Sequence, residues 1–178
     1  MQPTRISTFL RHLARDRRGA AALEFALVSV PLGALMVAIL QTSLTFFAQQ
    51  TLETTAEKSV RQLMTGQAQA ISMTQVQFNA LVCSKLPVFM KCSKVVIDVQ
   101  QATNFSTAST AAPTLTYDAN KNITNKVFTP GGPGTVNVAK IMYIWNEQKG
   151  PLGFDLSNMS GGSRLLIATS VFKTEPYS

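Results

Sequence analysis

The feature that most constrains this chain is the stretch "RRGAAALEFALVSVPLGALMVAIL", Arg17 to Leu40. After Gly19 nearly every residue is apolar, and the apolar character continues to Ala48 with weak polar interruptions at Ser29, Gln41, Thr42, Ser43 and Thr45. A bilayer core is crossed by about 20 such residues in a helix, so Phe25 to Ala48 is long enough to span. It exceeds the apolar core of a secretory signal, about 7–15 residues, and no small-residue cleavage site sits cleanly at its far end. Pro31 and Gly33 bend or loosen the helix, because proline removes a donor and clashes with the preceding turn. One charge interrupts the run near its start. Glu24 costs roughly 2.5–3.5 kcal/mol at the centre of a membrane helix, so its presence needs a reason.

Charge sets the expected orientation. Arg5, Arg11, Arg15, Arg17 and Arg18 precede Gly19 with only Asp16 against them, so +4 of the net +7 lies in this leader. The next basic residue after Gly19 is Lys58. The positive-inside rule then predicts a cytoplasmic N-terminus and a C-terminal bulk on the far side of the membrane. The remaining lysines are scattered without a basic stripe, which speaks against nucleic-acid binding, where clustered charge meets phosphate.

Past the membrane the period stays helical. In "QQTLETTAEKSVRQLMTG", Leu52, Ala56, Val60 and Leu63 recur at three and four residues, an amphipathic stripe with Gly66 as its stop. One stem helix from Ala20 to about Thr65 is expected; a break at Gln49–Gln50 is the alternative. Ser72 and Gln75 predict a capping box ahead of a helix whose Val76, Ala80, Cys83 and Leu86 share a face, ended by Pro87. In "KVVIDVQ" the period changes to alternation, with Val95, Ile97 and Val99 on one face and Asp98 and Gln100 on a wet one. "TVNVAKIMYIW" is apolar on both faces and reads as a central strand, and Arg164 to Lys173 as another strand. "PGGPG", Pro130 to Gly134, is turn punctuation and not a phosphate loop, since no helix follows it. The expected fold is α+β: a transmembrane helix continuing as a stem, then a helix packed on an antiparallel sheet of three or four strands. The divisions are 1–19 leader, 20–48 membrane helix, 49–66 stem and 67–178 outer domain.

Candidates for chemistry are few. Cys83 and Cys92 are the only cysteines, and His12, the one histidine, lies in the leader. A zinc site needs about four ligands, so no metal and no cofactor is expected. A disulfide closing a short loop fits an oxidising compartment; two buried thiols are the alternative. Glu147, Asp155 and Asp118 read as isolated, solvated carboxylates, and no spacing pairs them for acid–base work. Tyr117, Tyr143 and Trp145 read as core fillers with polar tips. Neither an enzyme nor a small-molecule substrate is indicated.

The segment "DRRGAAALEFALV" resembles a type IV prepilin processing site, and with "VCSKLPVFMKCSKVVIDV", "PGGPGTVNVAKIMYIW" and "LLIATSVFKTEPYS" the chain resembles the TadE-like family of minor pilins and pseudopilins of the tight-adherence (Tad) pilus system. The resemblance implies insertion in the bacterial inner membrane and cutting by a prepilin peptidase between Gly19 and Ala20. It further implies a periplasmic C-terminal domain and partnership with other Tad pilins and the inner-membrane assembly platform. Glu24 would be the fifth mature residue, followed by Phe25 where Flp-type pilins of this system usually carry tyrosine. Arg11, Arg15, Arg17 and Arg18 would hold the leader inside. The rival reading is an uncleaved bitopic scaffold whose outer domain binds a partner.

Overall fold

A computed structural model describes residues 19–119, 123–124, 126–147 and 149–176. The leader residues Arg11, Arg15, Arg17 and Arg18 lie outside these. The elements are α1 (Ala20–Met64), α2 (Gln67–Ala70), α3 (Gln75–Ser84), β1 (Val95–Ala102), β2 (Val136–Asn146) and β3 (Ser163–Lys173), with short 3-10 turns at Cys92–Lys94 and Pro151–Gly153. The chain divides into two compact units, one ending at Gln41 with Gly150–Phe154 added, the other Thr42–Lys149 with Asp155–Ser178.

In the first unit, α1 exposes Leu23, Phe25, Leu27, Val28, Val30 and Leu32, with Pro31 inside the helix. The second unit holds the core. There α1 buries Ala48, Leu52, Ala56, Val60 and Leu63, the stripe read from the periodicity, and no break occurs at Gln49–Gln50. The helix stops where expected: Gly66 takes φ 73°, a left-handed conformation that glycine adopts without the Cβ clash, and its amide donates to the Leu63 carbonyl.

Two details of α3 differ from expectation. The capping box is built by Thr74 and Gln77, not by Ser72 and Gln75. Ser72 sits at φ 49°, whereas an N-cap needs the extended backbone that Thr74 has at φ −77°, ψ 162°. The buried face of α3 is accordingly Phe78 and Val82, while Val76 stays 78% exposed.

The sheet has three antiparallel strands in the order β1-β2-β3, so β2 is central as its two-sided apolarity implies. The register forms cross-strand rungs: Val95, Tyr143 and Leu166 align, as do Ile97, Ile141 and Ala168. These residues join the α1 and α3 residues in one apolar cluster. Side chains alternate along strands, so Val96, Asp98, Val138, Lys140 and Met142 fall on the opposite face, and all are buried. Asp98 was expected on a wet face. It is 5% exposed, because the long β1–β2 connection returns over it. Val127 N–H donates to Asp98 Oδ1 at 3.2 Å, Lys140 Nζ donates to the Ala111 carbonyl at 2.9 Å, and Phe128 bridges to Val99.

Candidate functional site

The candidate site begins at the N-terminal end of α1. Gly19 immediately precedes Ala20, the first helical residue, and both are exposed. A Cβ added at Gly19 would meet nothing within 4 Å. Among the described residues, packing therefore makes no demand for glycine at that position. Glu24 is also exposed and lies four residues after Ala20. On a helix, residues four apart are surface neighbours, so the carboxylate is within one turn of the backbone at Ala20. Phe25 is 75% exposed and makes no part of the buried core.

From Phe25 to Leu40, α1 is apolar on every side apart from Ser29. It is long and apolar enough to cross a membrane, with a mean hydropathy of 2.2 over its best window, and none of that window is buried inside the protein. An all-round apolar surface on a helix is the pattern of a membrane span. Ser29 is accommodated within it by donating to the Ala26 carbonyl at 3.2 Å, which satisfies its hydroxyl locally.

Polar side chains take over where the helix joins the second unit's core. Thr45 Oγ1 donates to Glu147 Oε1 at 2.7 Å. Gln49 Nε2 donates to Glu53 Oε1 at 2.7 Å and to the Ile167 carbonyl at 3.0 Å. Thr55 Oγ1 donates to the Lys85 carbonyl at 3.3 Å. Thr45, read as a weak interruption of the span, is thus a buried attachment point, and half-buried Glu147 is its acceptor rather than an isolated solvated acid. The signal available in sequence was the cluster of polar residues between Gln41 and Thr55 on an otherwise apolar helix. Its partners on other segments lie 30 to 118 residues away, so spacing alone does not reveal them.

Cys83 and Cys92 are joined by a disulfide with Cα atoms 5.3 Å apart. The enclosed loop is tied inward at Met90, which is 4% exposed, and at Lys91, whose amide donates to Tyr143 Oη at 2.9 Å. Phe89 rests on Phe47 of α1, ring centroids 5.6 Å apart. Tyr143 is buried and Trp145 packs against the core, as expected, while Tyr117 is 47% exposed.

Two further acids, Asp155 and Asp98, have structural partners. Asp155 Oδ1 accepts from the Ser157 amide at 2.8 Å, and this bond holds its carboxyl below the usual carboxylate range. Asp98 and Lys140 line a cleft of about 230 Å³ with Gln100, Thr107 and Ser109, but the carboxylate is engaged by Val127 and Gln100 and the ammonium by Ala111. Among the described residues, no group of three or more His, Cys, Asp or Glu side chains is placed to hold a metal.

No curated protein and no solved structure matches the chain. A family model does: that of TadE-like protein, over residues 19–61, about a quarter of the length. The matched residues start at Gly19, include Ala20, Glu24 and Phe25, and run through the apolar helix into the buried stripe of the stem. Over residues 19–61 the chain is thus a match to the TadE-like family that its opening segment resembles, which supports a protein associated with a Tad pilus.

Proposed function

We propose that this protein is a minor pilin or pseudopilin of a Tad pilus, non-catalytic, and processed between Gly19 and Ala20 by a prepilin peptidase. The single observation that carries the proposal is the TadE-like match beginning at Gly19, at the point where α1 starts and where, among the described residues, glycine answers to no packing need. A glycine that the fold does not require is available to be read by a peptidase.

The chemistry follows from the cut. Cleavage removes the arginine-rich leader and leaves a free amine at Ala20. Glu24, one turn along, then has a cation within reach, its own or a neighbouring subunit's. A carboxylate in hydrocarbon is costly alone and much cheaper when paired. A subunit whose Glu24 is unmet in the bilayer and met within a helix bundle has a driving force to assemble. The apolar surface of α1 serves first as a membrane anchor and then as a packing surface among other Tad pilins and the inner-membrane platform. The leader charge holds the N-terminus in the cytoplasm, so the sheet-bearing unit lies in the periplasm, where the Cys83–Cys92 disulfide is stable.

N-terminal sequencing of the membrane-extracted protein, with and without the peptidase, tests this directly. A mature chain starting at Ala20 only when the peptidase is present supports it. A chain starting at Met1 or Gln2 in both cases overturns it in favour of an uncleaved scaffold. Glu24→Ala should be cut normally yet fail to enter filaments; normal incorporation would sink the role given to the carboxylate.

A further inference from the structure

The Cys83–Cys92 loop carries an unusual tip. The Met90 amide donates to the Pro87 carbonyl at 2.9 Å, closing a four-residue turn whose central residues are Val88 and Phe89. Turns favour glycine, proline, asparagine, aspartate and serine at such positions. Here the tip presents a valine that is fully exposed, at 105%, and a phenylalanine that is 46% exposed. The base of the turn is the reverse: Met90 is buried, Lys91 is held by Tyr143, and the disulfide closes both arms. The loop thus holds an apolar point outward on a fixed base.

The neighbours of that point indicate what it meets. Phe89 stacks on Phe47, and Phe46, Phe47 and Leu44 of α1 are themselves 69%, 59% and 59% exposed. These helix residues are the last of the apolar run that starts at Phe25. A span uses up about 20 residues, so Phe46 and Phe47 fall where the run leaves hydrocarbon, the level at which aromatic rings favour a bilayer interface. Lys91 follows the turn and is exposed, whereas Lys85 is turned back along α1, its Nζ donating to the Lys58 carbonyl at 2.7 Å. A cation such as Lys91 beside an apolar tip suits anionic headgroups.

We propose that Val88 and Phe89 insert into the interfacial region of the bilayer beside α1, giving the sheet-bearing unit a second, disulfide-braced membrane contact that prefers anionic lipid. This rests on the reading of α1 as a membrane span. The occupant is the lipid interface and not a second copy of the chain, because the tip is continuous, through the Phe47–Phe89 contact, with the end of the apolar run and is followed by the exposed Lys91.

The test uses the full chain in vesicles of phosphatidylcholine and phosphatidylglycerol, in a Trp145→Phe background. An indole placed at the tip by Val88→Trp should emit to the blue of water and lose most of its emission to lipids brominated at shallow acyl carbons. The quenching should weaken when phosphatidylglycerol is omitted. A second indole, placed by Leu35→Trp, reports on the span itself and should be quenched by deeply brominated lipids. A water-like, unquenched V88W signal beside a quenched L35W signal overturns the proposal and leaves the span standing. An unquenched L35W signal overturns both. A blue shift that grows with the protein-to-lipid ratio and ignores bromine assigns the tip to a second copy and also overturns the proposal. Should Trp145→Phe disturb the fold, 19F NMR of fluorotryptophan-labelled V88W with Trp145 retained resolves the two indoles and reads the same contact from paramagnetic lipid.

Discussion

The backbone amide of Lys91 donates to the phenolic oxygen of Tyr143 at 2.9 Å, and through this bond the disulfide loop is fastened to the central strand. Tyr143 is 3% exposed, so its ring belongs to the core while its hydroxyl serves the loop. Removing only the hydroxyl, by Tyr143→Phe, leaves the packing intact and deprives a part-buried N–H of its acceptor. The expected cost is about 1 kcal/mol, read by denaturant unfolding of the detergent-solubilised chain. Faster hydrogen exchange confined to the amides near Lys91 should accompany it. Unchanged exchange there would show that the loop does not depend on this bond.

The disulfide is a separate brace on the same loop. Its cysteines are nine residues apart, and closing a loop of that size restricts the unfolded chain by about 2–3 kcal/mol in the entropy model. Cys83→Ser with Cys92→Ser should lower unfolding stability by that amount under oxidising conditions. Under reducing conditions the double variant and the parent should unfold at nearly the same denaturant concentration. A gap that persists after reduction would assign the effect to packing of the sulfur atoms instead.

Helix α3 offers a paired test of which face is buried. Phe78 is 0% exposed and contacts Phe128, with ring centroids 5.4 Å apart. Phe78→Ala should destabilise by about 3–5 kcal/mol through lost transfer energy and a residual cavity. Val76→Ala, on the exposed side, should stay within about 0.5 kcal/mol of the parent. Circular dichroism melts of the two variants compare them, and equal losses would contradict the assigned face.

Asp155 should titrate below its ordinary value of 3.8, first because the Ser157 amide donates to it, then through the Ser157 side chain, with desolvation opposing and the charge of Lys149 adding the weakest pull. A depressed acid stabilises the folded state above its unfolded pKa, and that contribution fades as pH falls through the folded value. Carbon-detected NMR titration of the carboxyl measures it. Ser157→Pro removes the donating amide and should move the midpoint upward, whereas Ser157→Ala keeps the amide and should move it less.

Local patterns carried much of this protein in its sequence. The apolar run, the helical stripe of Leu52, Ala56, Val60 and Leu63, and the two-sided apolarity of β2 each follow from periodicity, because burial selects side chains at the repeat of the backbone that bears them. The proposed processing segment is a contiguous pattern, since a peptidase reads consecutive residues in an accessible stretch.

Other features depended on groups distant in sequence. Asp98 was read as solvated since alternation alone says which side of the strand it takes, not what covers that side; the returning connection at Ala111 and Val127 decided that. Thr45 and Glu147 looked unrelated until folding brought them to 2.7 Å. Val88 and Phe89 carry no periodic signal in sequence, and the turn at Pro87–Met90 and the ring of Phe47 give them a direction. What the sequence by itself determined was the class of each segment and the stretch that matches the TadE-like family. The tertiary structure alone decided which polar groups are paired and which apolar groups are left uncovered, because both depend on three-dimensional proximity that a one-dimensional period does not encode.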